Sequence, residues 1–277
     1  MKLKREMIKK LIVIAIIPFI YSCSVEKIAI KKTSLMIDEG ISDIYSEKNL
    51  DYIKNSLPAN LKLMEILYKK EQNPILLKNL TMGFCGYAFA FYDEKKFERN
   101  DFYLKGIKYS DDYIQKQGLK DKKTIQQIDF DILFWNLFCK SAYVDSNRDD
   151  INALVYLNEI EETAQKLNSI NSSYFYGSVS TILASIYSLK PKLAGGNPEK
   201  SKEIFESVIN SKDGKKLLMN HLFYAKSYAT TVLDEELFDK LINYIIEYNN
   251  PTDELGFFNE IAKIKAKKLK EEKNEIF

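Results

Sequence analysis

The sequence predicts an all-α protein made of stacked antiparallel helical hairpins in a single domain. Three observations carry that expectation. Apolar residues recur at three- and four-residue spacing almost throughout, and strict alternation is nearly absent. The breaks between periodic stretches are short, which makes successive helices antiparallel neighbours. No stretch rich in Pro, Gly or Ser divides the chain after its first residues.

The elements follow in order. Leu57, Leu61, Met64 and Leu67 form the first stripe, with Pro58 expected near the start of its helix. Asn73-Pro74 opens the next helix, which runs to about Tyr92 and turns Leu77, Leu80, Phe84, Tyr87 and Phe91 inward. Helices are expected over 102–114, 130–144 and 151–167. Phe175, Val179, Ile182, Ile186 and Leu189 line one side of a long helix that ends before Pro191. Asn197 and Pro198 are a cap and first-turn pair for a helix carrying Ile204, Phe205 and Val208. Further helices are expected over 215–232, through Leu237, Leu241, Ile245 and Tyr248, and through Leu255, Phe258, Ala262, Ala266 and Leu269. Ser201, Phe205 and Val208 resemble the small-aromatic-small spacing of a degraded tetratricopeptide helix. The helix before it offers Gly177, Ser178, Thr181, Ala184 and Ser185 for close approach. No period of about 34 residues survives, so the resemblance is to the hairpin and not to the strict repeat.

Composition narrows the function. The chain has 277 residues, 45% hydrophobic and 13% aromatic, enough to bury a real core. Its net charge of +2 comes from the first 22 residues, which hold Lys2, Lys4, Arg5, Lys9 and Lys10 against Glu6. Without them 36 basic residues (41 − 5) face 38 acidic ones (39 − 1). A nucleic-acid partner needs a basic surface, and none is expected here.

Residues 1–22 read as an export signal: a basic start, then an apolar run from Leu11 to Ile20 that is too short to span a bilayer. The run ends in Ile20-Tyr21-Ser22-Cys23, which resembles the lipobox of bacterial lipoproteins. That resemblance implies cleavage before Cys23, a lipid on its thiol, a lipidated tether over residues 23–32 and a helical domain over 33–277. It also implies a membrane anchor facing the periplasm, and Ser24 after the cysteine favours the outer membrane. Cys85 and Cys139 then remain, each in an apolar stretch. The simpler expectation is two small buried hydrophobes rather than a disulfide.

Catalytic and metal patterns fail. Asp145-Ser146-Asn147-Arg148-Asp149-Asp150 starts like a calcium loop, but Asp150 stands where the turn needs Gly and Tyr156 where an acid must close the site. The acids suit a helix N-terminus better. Gly195-Gly196-Asn197-Pro198-Glu199-Lys200-Ser201 has Glu199 in place of the second Gly of a phosphate loop. His221, the single histidine, sits among Leu218, Leu222, Phe223 and Tyr224 and reads as packed and hydrogen-bonded. Adjacent acids such as Asp93-Glu94 diverge by about 100° on a helix and form no dyad. No catalytic residue, metal site or cofactor is expected.

Longer-range order then points to a family. Leu57-Pro58-Ala59 through Met64 and Leu67, Asn73-Pro74 and Leu77, Tyr87-Ala88-Phe89-Ala90-Phe91, and Leu133-Phe134-Trp135 occur in sequence. The most specific block runs Tyr176-Gly177, Lys190-Pro191, then Gly195-Gly196-Asn197-Pro198-Glu199-Lys200 with Phe205 and Glu206. Asn259, Ile261 and Ala262 and the end at Ile276-Phe277 complete it. This order resembles the T-component lipoproteins of tripartite ATP-independent periplasmic (TRAP) transporters, over about residues 33–277.

The resemblance implies a homotrimeric accessory subunit that binds the extracytoplasmic substrate-binding subunit and handles an apolar small molecule through a channel in each protomer. Phe134, Trp135, Tyr174, Phe175 and Tyr176 are candidate channel residues; the same aromatics also suit a plain core. Gly195, Gly196 and Asn197 are a candidate partner loop, or simply a turn and helix cap. The alternative from a different class is a tetratricopeptide-like lipoprotein scaffold for protein–protein interaction, for instance in outer-membrane assembly.

Overall fold

The computed structural model describes residues 25–250 and 253–277, and every regular element among them is helical. Cys23 and the expected signal lie outside those residues. Residues 25–39 form α1, so most of the stretch expected as a tether is helix, and Ile30 on it is buried. There follow α2 (Ile41–Ser46), α3 (Leu50–Lys70), α4 (Pro74–Phe91), α5 (Lys96–Gln117), α6 (Gln127–Asp145), α7 (Ile151–Leu154) and α8 (Leu157–Ile170). The second half holds α9 (Tyr174–Leu189), α10 (Pro198–Asn210), α11 (Leu218–Phe223), α12 (Glu235–Glu247), α13 (Gly256–Glu271) and α14 (Lys273–Ile276).

Caps sit where side-chain chemistry puts them. Asn73 Oδ1 accepts from the Ile75 amide at 2.8 Å, Asn197 Oδ1 from Lys200 at 2.9 Å, and Asp150 Oδ1 from Asn152 at 2.9 Å. The last of these accounts for part of the acidic cluster, and Asp145 pairs with Arg148 and Lys226.

Pro58 is a correction. It lies inside α3, which begins eight residues earlier at Leu50. A proline there cannot donate to the carbonyl four residues back, that of Lys54. The Tyr87 hydroxyl of α4 donates to that carbonyl at 2.9 Å instead, so a tertiary contact replaces the missing helical bond.

Among the described residues two large apolar cores are found beside a smaller cluster around Cys85, Cys139, Tyr103 and Ile107. One joins α3, α4, α5, α6, α8 and α9, around Leu76, Leu77, Leu80, Leu133 and Phe134. The other joins α9 to α13, around Phe205, Phe238, Ile242, Ile245 and Ala262. Within the first half α4, α5 and α6 form a unit closed by a Cys85–Cys139 disulfide (S–S 1.93 Å, Cα–Cα 5.3 Å). This corrects the expectation of two unpaired thiols: α5 offers Gly106 at that level, and a Cβ there would come within 2.4 Å of the Cys85 sulfur. The missing side chain leaves the bridge its space.

The α9–α10 hairpin is antiparallel, since Ser188 meets Ser201 at one end and Gly177 meets Val208 at the other. Ser201 also donates to the Ala184 carbonyl at 2.8 Å, which the small residues of α9 permit.

Two expected helices are broken. The stretch 151–167 divides into α7 and α8 at Val155-Tyr156. The stretch 215–232 becomes a 3₁₀ turn (Gly214–Lys216), α11 and then a π-helical segment, Tyr224–Ala229. Thr230 donates back five residues to the Ala225 carbonyl at 3.2 Å. Hydroxyls compete along this segment: Ser227 donates to Phe223, Thr230 to Lys226 and Thr231 to Ser227, all to main-chain carbonyls within 2.7 Å. Buried asparagines hold the elements around it. Asn259 accepts from the Leu218 amide at 2.9 Å and donates to the Lys216 carbonyl and Asp253; Asn220 donates to the Tyr176 and Gly214 carbonyls at 2.8 Å each.

Candidate functional site

Where the two cores meet, an apolar chamber of about 410 Å³ remains open. Its walls come from elements far apart in sequence: Met36 and Tyr45 from α1 and α2, Leu63 from α3, Met82 and Phe89 from α4, Trp135 from α6, Phe175 from α9, and Phe257 and Phe258 from α13. Met36 and Leu63 are exposed, so the chamber opens between α1 and α3. Volume and lining are those of a small-molecule site.

The aromatic run at the start of α9 is placed by an unusual backbone. Phe175 (φ 45°, ψ 60°), Tyr176 (φ 57°, ψ 32°) and Gly177 (φ 81°, ψ 11°) make a left-handed turn before the right-handed helix begins. Each non-glycine residue there costs about 1–2 kcal/mol. Tertiary bonds hold the turn in place. The Tyr174 hydroxyl donates to Asp131 at 2.8 Å, Asn220 holds the Tyr176 carbonyl, and the Ser178 hydroxyl donates to the Phe175 carbonyl at 2.8 Å. The expected continuous right-handed helix through these residues is thereby corrected.

The turn sends the three rings in different directions. Tyr174 packs on Phe130 and Phe134, with centroids 4.7 and 4.9 Å away, outside the chamber lining. Phe175 enters the chamber and meets Trp135 at 5.2 Å, Phe258 at 5.4 Å and Tyr45 at 5.8 Å. Tyr176 faces Glu254, 3.4 Å from its hydroxyl, and does not line the chamber. Of the five aromatics singled out in the sequence, Phe134, Trp135 and Phe175 therefore border one space.

Residues that the sequence reading left out complete it. Phe89 belongs to the run Tyr87-Ala88-Phe89-Ala90-Phe91, but nothing local marks it as a wall. It and Phe223 also border a second apolar chamber of about 480 Å³ between α6, α8 and α9, and a polar one of about 230 Å³ beside α13. Phe89 packs edge-on against Phe138 at 5.6 Å, and the Lys265 ammonium sits 4.4 Å from its ring centre. Burial lowers the Lys265 pKa against the opposing pull of Asp93. Burial also works to raise that of Asp145, but Lys226 and Arg148 hold its carboxyl below the ordinary value. These ion pairs close the polar side.

The polar groups in the first chamber are few. The Tyr45 hydroxyl donates to the Met82 sulfur at 3.0 Å, and burial pushes its pKa well up. Asn79 donates to Asp38 at 3.1 Å. His221 lies beyond the lining, stacked on Tyr244 at 4.6 Å; burial pushes its imidazole down to about 4, opposed by the Leu217 backbone. It is packed, as expected, but the expected hydrogen bonding is incomplete, since its Nδ1 is buried without a partner.

The candidate partner loop is tightly built. Gly195 takes a left-handed φ of 92°, and a Cβ on Gly196 would meet the Lys190 carbonyl at 1.9 Å. Asn197 is occupied as a cap, and Leu193 beside them is fully exposed.

No helix among the described residues is long and apolar enough to cross a membrane. No curated protein matches the chain. The family profile described as TRAP transporter T-component matches residues 46–277, most of the sequence and nearly all of the fold above. The chain belongs to the TRAP transporter T-component family, and is thus an accessory component of a transporter rather than a member of a known enzyme family.

Proposed function

We propose that this T-component takes an apolar small molecule into the chamber around Phe134, Trp135 and Phe175 and works with the extracytoplasmic substrate-binding subunit of its transporter. In this reading residues 1–22 are removed, Cys23 carries the lipid anchor, and a homotrimer faces the periplasm, at the outer membrane. Gly195, Gly196 and Asn197, with the exposed Leu193, form the partner loop. The observation that carries the ligand reading is the chamber itself. An apolar space of about 410 Å³, open at Met36 and Leu63, is better filled by an apolar molecule than by water.

Gly86 provides the test. It lines the chamber, and a Cβ added there meets nothing within 4 Å. Gly86→Leu should extend from that open position into the space and take up room a ligand would use, and thermal stability should hold because leucine also favours the helix. Organic extracts of the unaltered protein, read by mass spectrometry, should contain an apolar molecule, and extracts of the variant should not. An unaltered protein that carries nothing and takes up no added apolar probe would remove the ligand reading.

A further inference from the structure

One wall of the chamber contains a hydrogen-bond acceptor with nothing to accept. Asn79 on α4 is 1% exposed and lines the space, yet its Oδ1 is buried without a partner. Its amide nitrogen is committed to Asp38, which also pairs with Lys78, and this fixes which end of the side chain is left over. One turn further along α4, Met82 receives the Tyr45 hydroxyl, which also lines the chamber. A thioether is a weak acceptor, so that phenol would donate more strongly to an oxygen. An idle acceptor on Asn79 and an under-used donor held against Met82, one helical turn along α4, thus belong to the same mostly apolar lining. Buried polar atoms of this kind are ordinarily satisfied, and a few placed polar groups in an apolar pocket orient what it holds.

We infer that the ligand is an apolar molecule bearing a hydroxyl, which donates to Asn79 Oδ1 and accepts from the Tyr45 phenol. The inference rests on the chamber being a ligand site and adds the chemical class of the ligand. A hydrocarbon without a donor leaves Asn79 unpaired, and a site built around a hydrogen bond rejects the analogue that lacks it.

Trp135, the single tryptophan of the chain, lines the chamber and reports its filling by fluorescence. The probes are 1-decanol and its methyl ether, which can accept but cannot donate. The ether carries one more carbon, so burial alone would favour it about fourfold. Satisfying one buried polar atom is worth about tenfold, so the alcohol should still bind about two- to threefold tighter. Asn79→Leu should reverse that preference, leaving the ether about fourfold tighter by burial alone. Tyr45→Phe leaves Asn79 and Asp38 untouched and should weaken both probes together, because both can accept from the phenol. If Asn79→Leu loses its helical signal, the probe ratio in the unaltered protein and the Tyr45→Phe pattern still decide the matter. An ether that binds tighter than the alcohol in the unaltered protein, as burial alone would have it, overturns the hydroxyl inference and leaves the apolar chamber standing. A Trp135 signal that responds to neither probe overturns the ligand reading as well.

Discussion

Both halves of the molecule hold packed rings and buried amide bonds, Asn136 and Asn147 in the first as Asn220 and Asn259 in the second, but among the described residues only the first carries a covalent cross-link. The α4–α6 unit is closed by a covalent bond and by rings: Cys85–Cys139 beneath Gly106, and Phe84, Tyr87 and Phe102 packed edge to face or tilted at 5.4–5.5 Å. The α11–α13 half has no such bond. There Asn220 and Asn259 bond to backbone atoms around the irregular π segment, and Phe205 stacks on Tyr224 at 4.7 Å. Both halves contribute walls to the same chamber. With one wall cross-linked and the other not, the second is expected to open at lower cost than the first, because stability need not be uniform across a fold.

That contrast can be broken from the rigid side first. The disulfide closes a loop with a sequence separation of 54, and its removal should cost about 4 kcal/mol in the chain-entropy account. Cys85→Ala with Cys139→Ala, compared with the oxidised protein in denaturant, should show that loss. Hydrogen exchange should rise in α4–α6 more than in α11–α13. A uniform rise would mean that the halves are not separately held.

Acid tests the other half. His221 is buried, and its pKa in the fold, about 4, lies below the ordinary 6.5. Between those values the unfolded chain binds the extra proton, so stability rises with pH. The stabilisation is complete above about pH 6.5 and is lost as the pH falls toward 4, about 3 kcal/mol in all. His221→Gln should flatten thermal melts across that window. A wild-type dependence that survives the substitution would assign the window to other groups.

The smallest expected effect lies at the junction. Gly177 has φ 81°, and a Cβ there would sit 2.9 Å from Val208 Cγ1. Gly177→Ala should cost about 2 kcal/mol by strain and crowding together. It should also shift the Trp135 emission, since Phe175 two residues away packs on that ring. A stability loss with unchanged emission would mean that the left-handed turn does not position Phe175.

Local chemistry made much of this legible. The caps at Asn73 and Asn197 were readable because cap and first-turn proline are adjacent in sequence, and the inward faces of most helices followed from spacing. What escaped depends on distant partners. Pro58 looked like a helix start because proline favours that position, and only Tyr87 on another helix explains why it is tolerated inside α3. A cysteine spacing says nothing of sulfur-to-sulfur distance. Tyr174-Phe175-Tyr176 has no residue suited to a left-handed turn before Gly177, so the sequence favoured a helix. Asp131 and Asn220 decide otherwise. For the chamber, Phe134, Trp135 and Phe175 were legible as an aromatic excess. Tyr45 and Phe258 were not, because the ring contact between them spans most of the chain.

If the chain is exported, the disulfide would also time its biogenesis. On the export route proposed above, the protein is made where thiols stay reduced and matures where they oxidise. Before crossing, it lacks the contribution of that bond and is the easier chain to keep unfolded for translocation. After crossing, closing Cys85 to Cys139 beneath Gly106 removes the loosest conformations from the unfolded ensemble and makes the folded state hard to leave. The same two sulfur atoms would thus favour passage on one side of the membrane and permanence on the other.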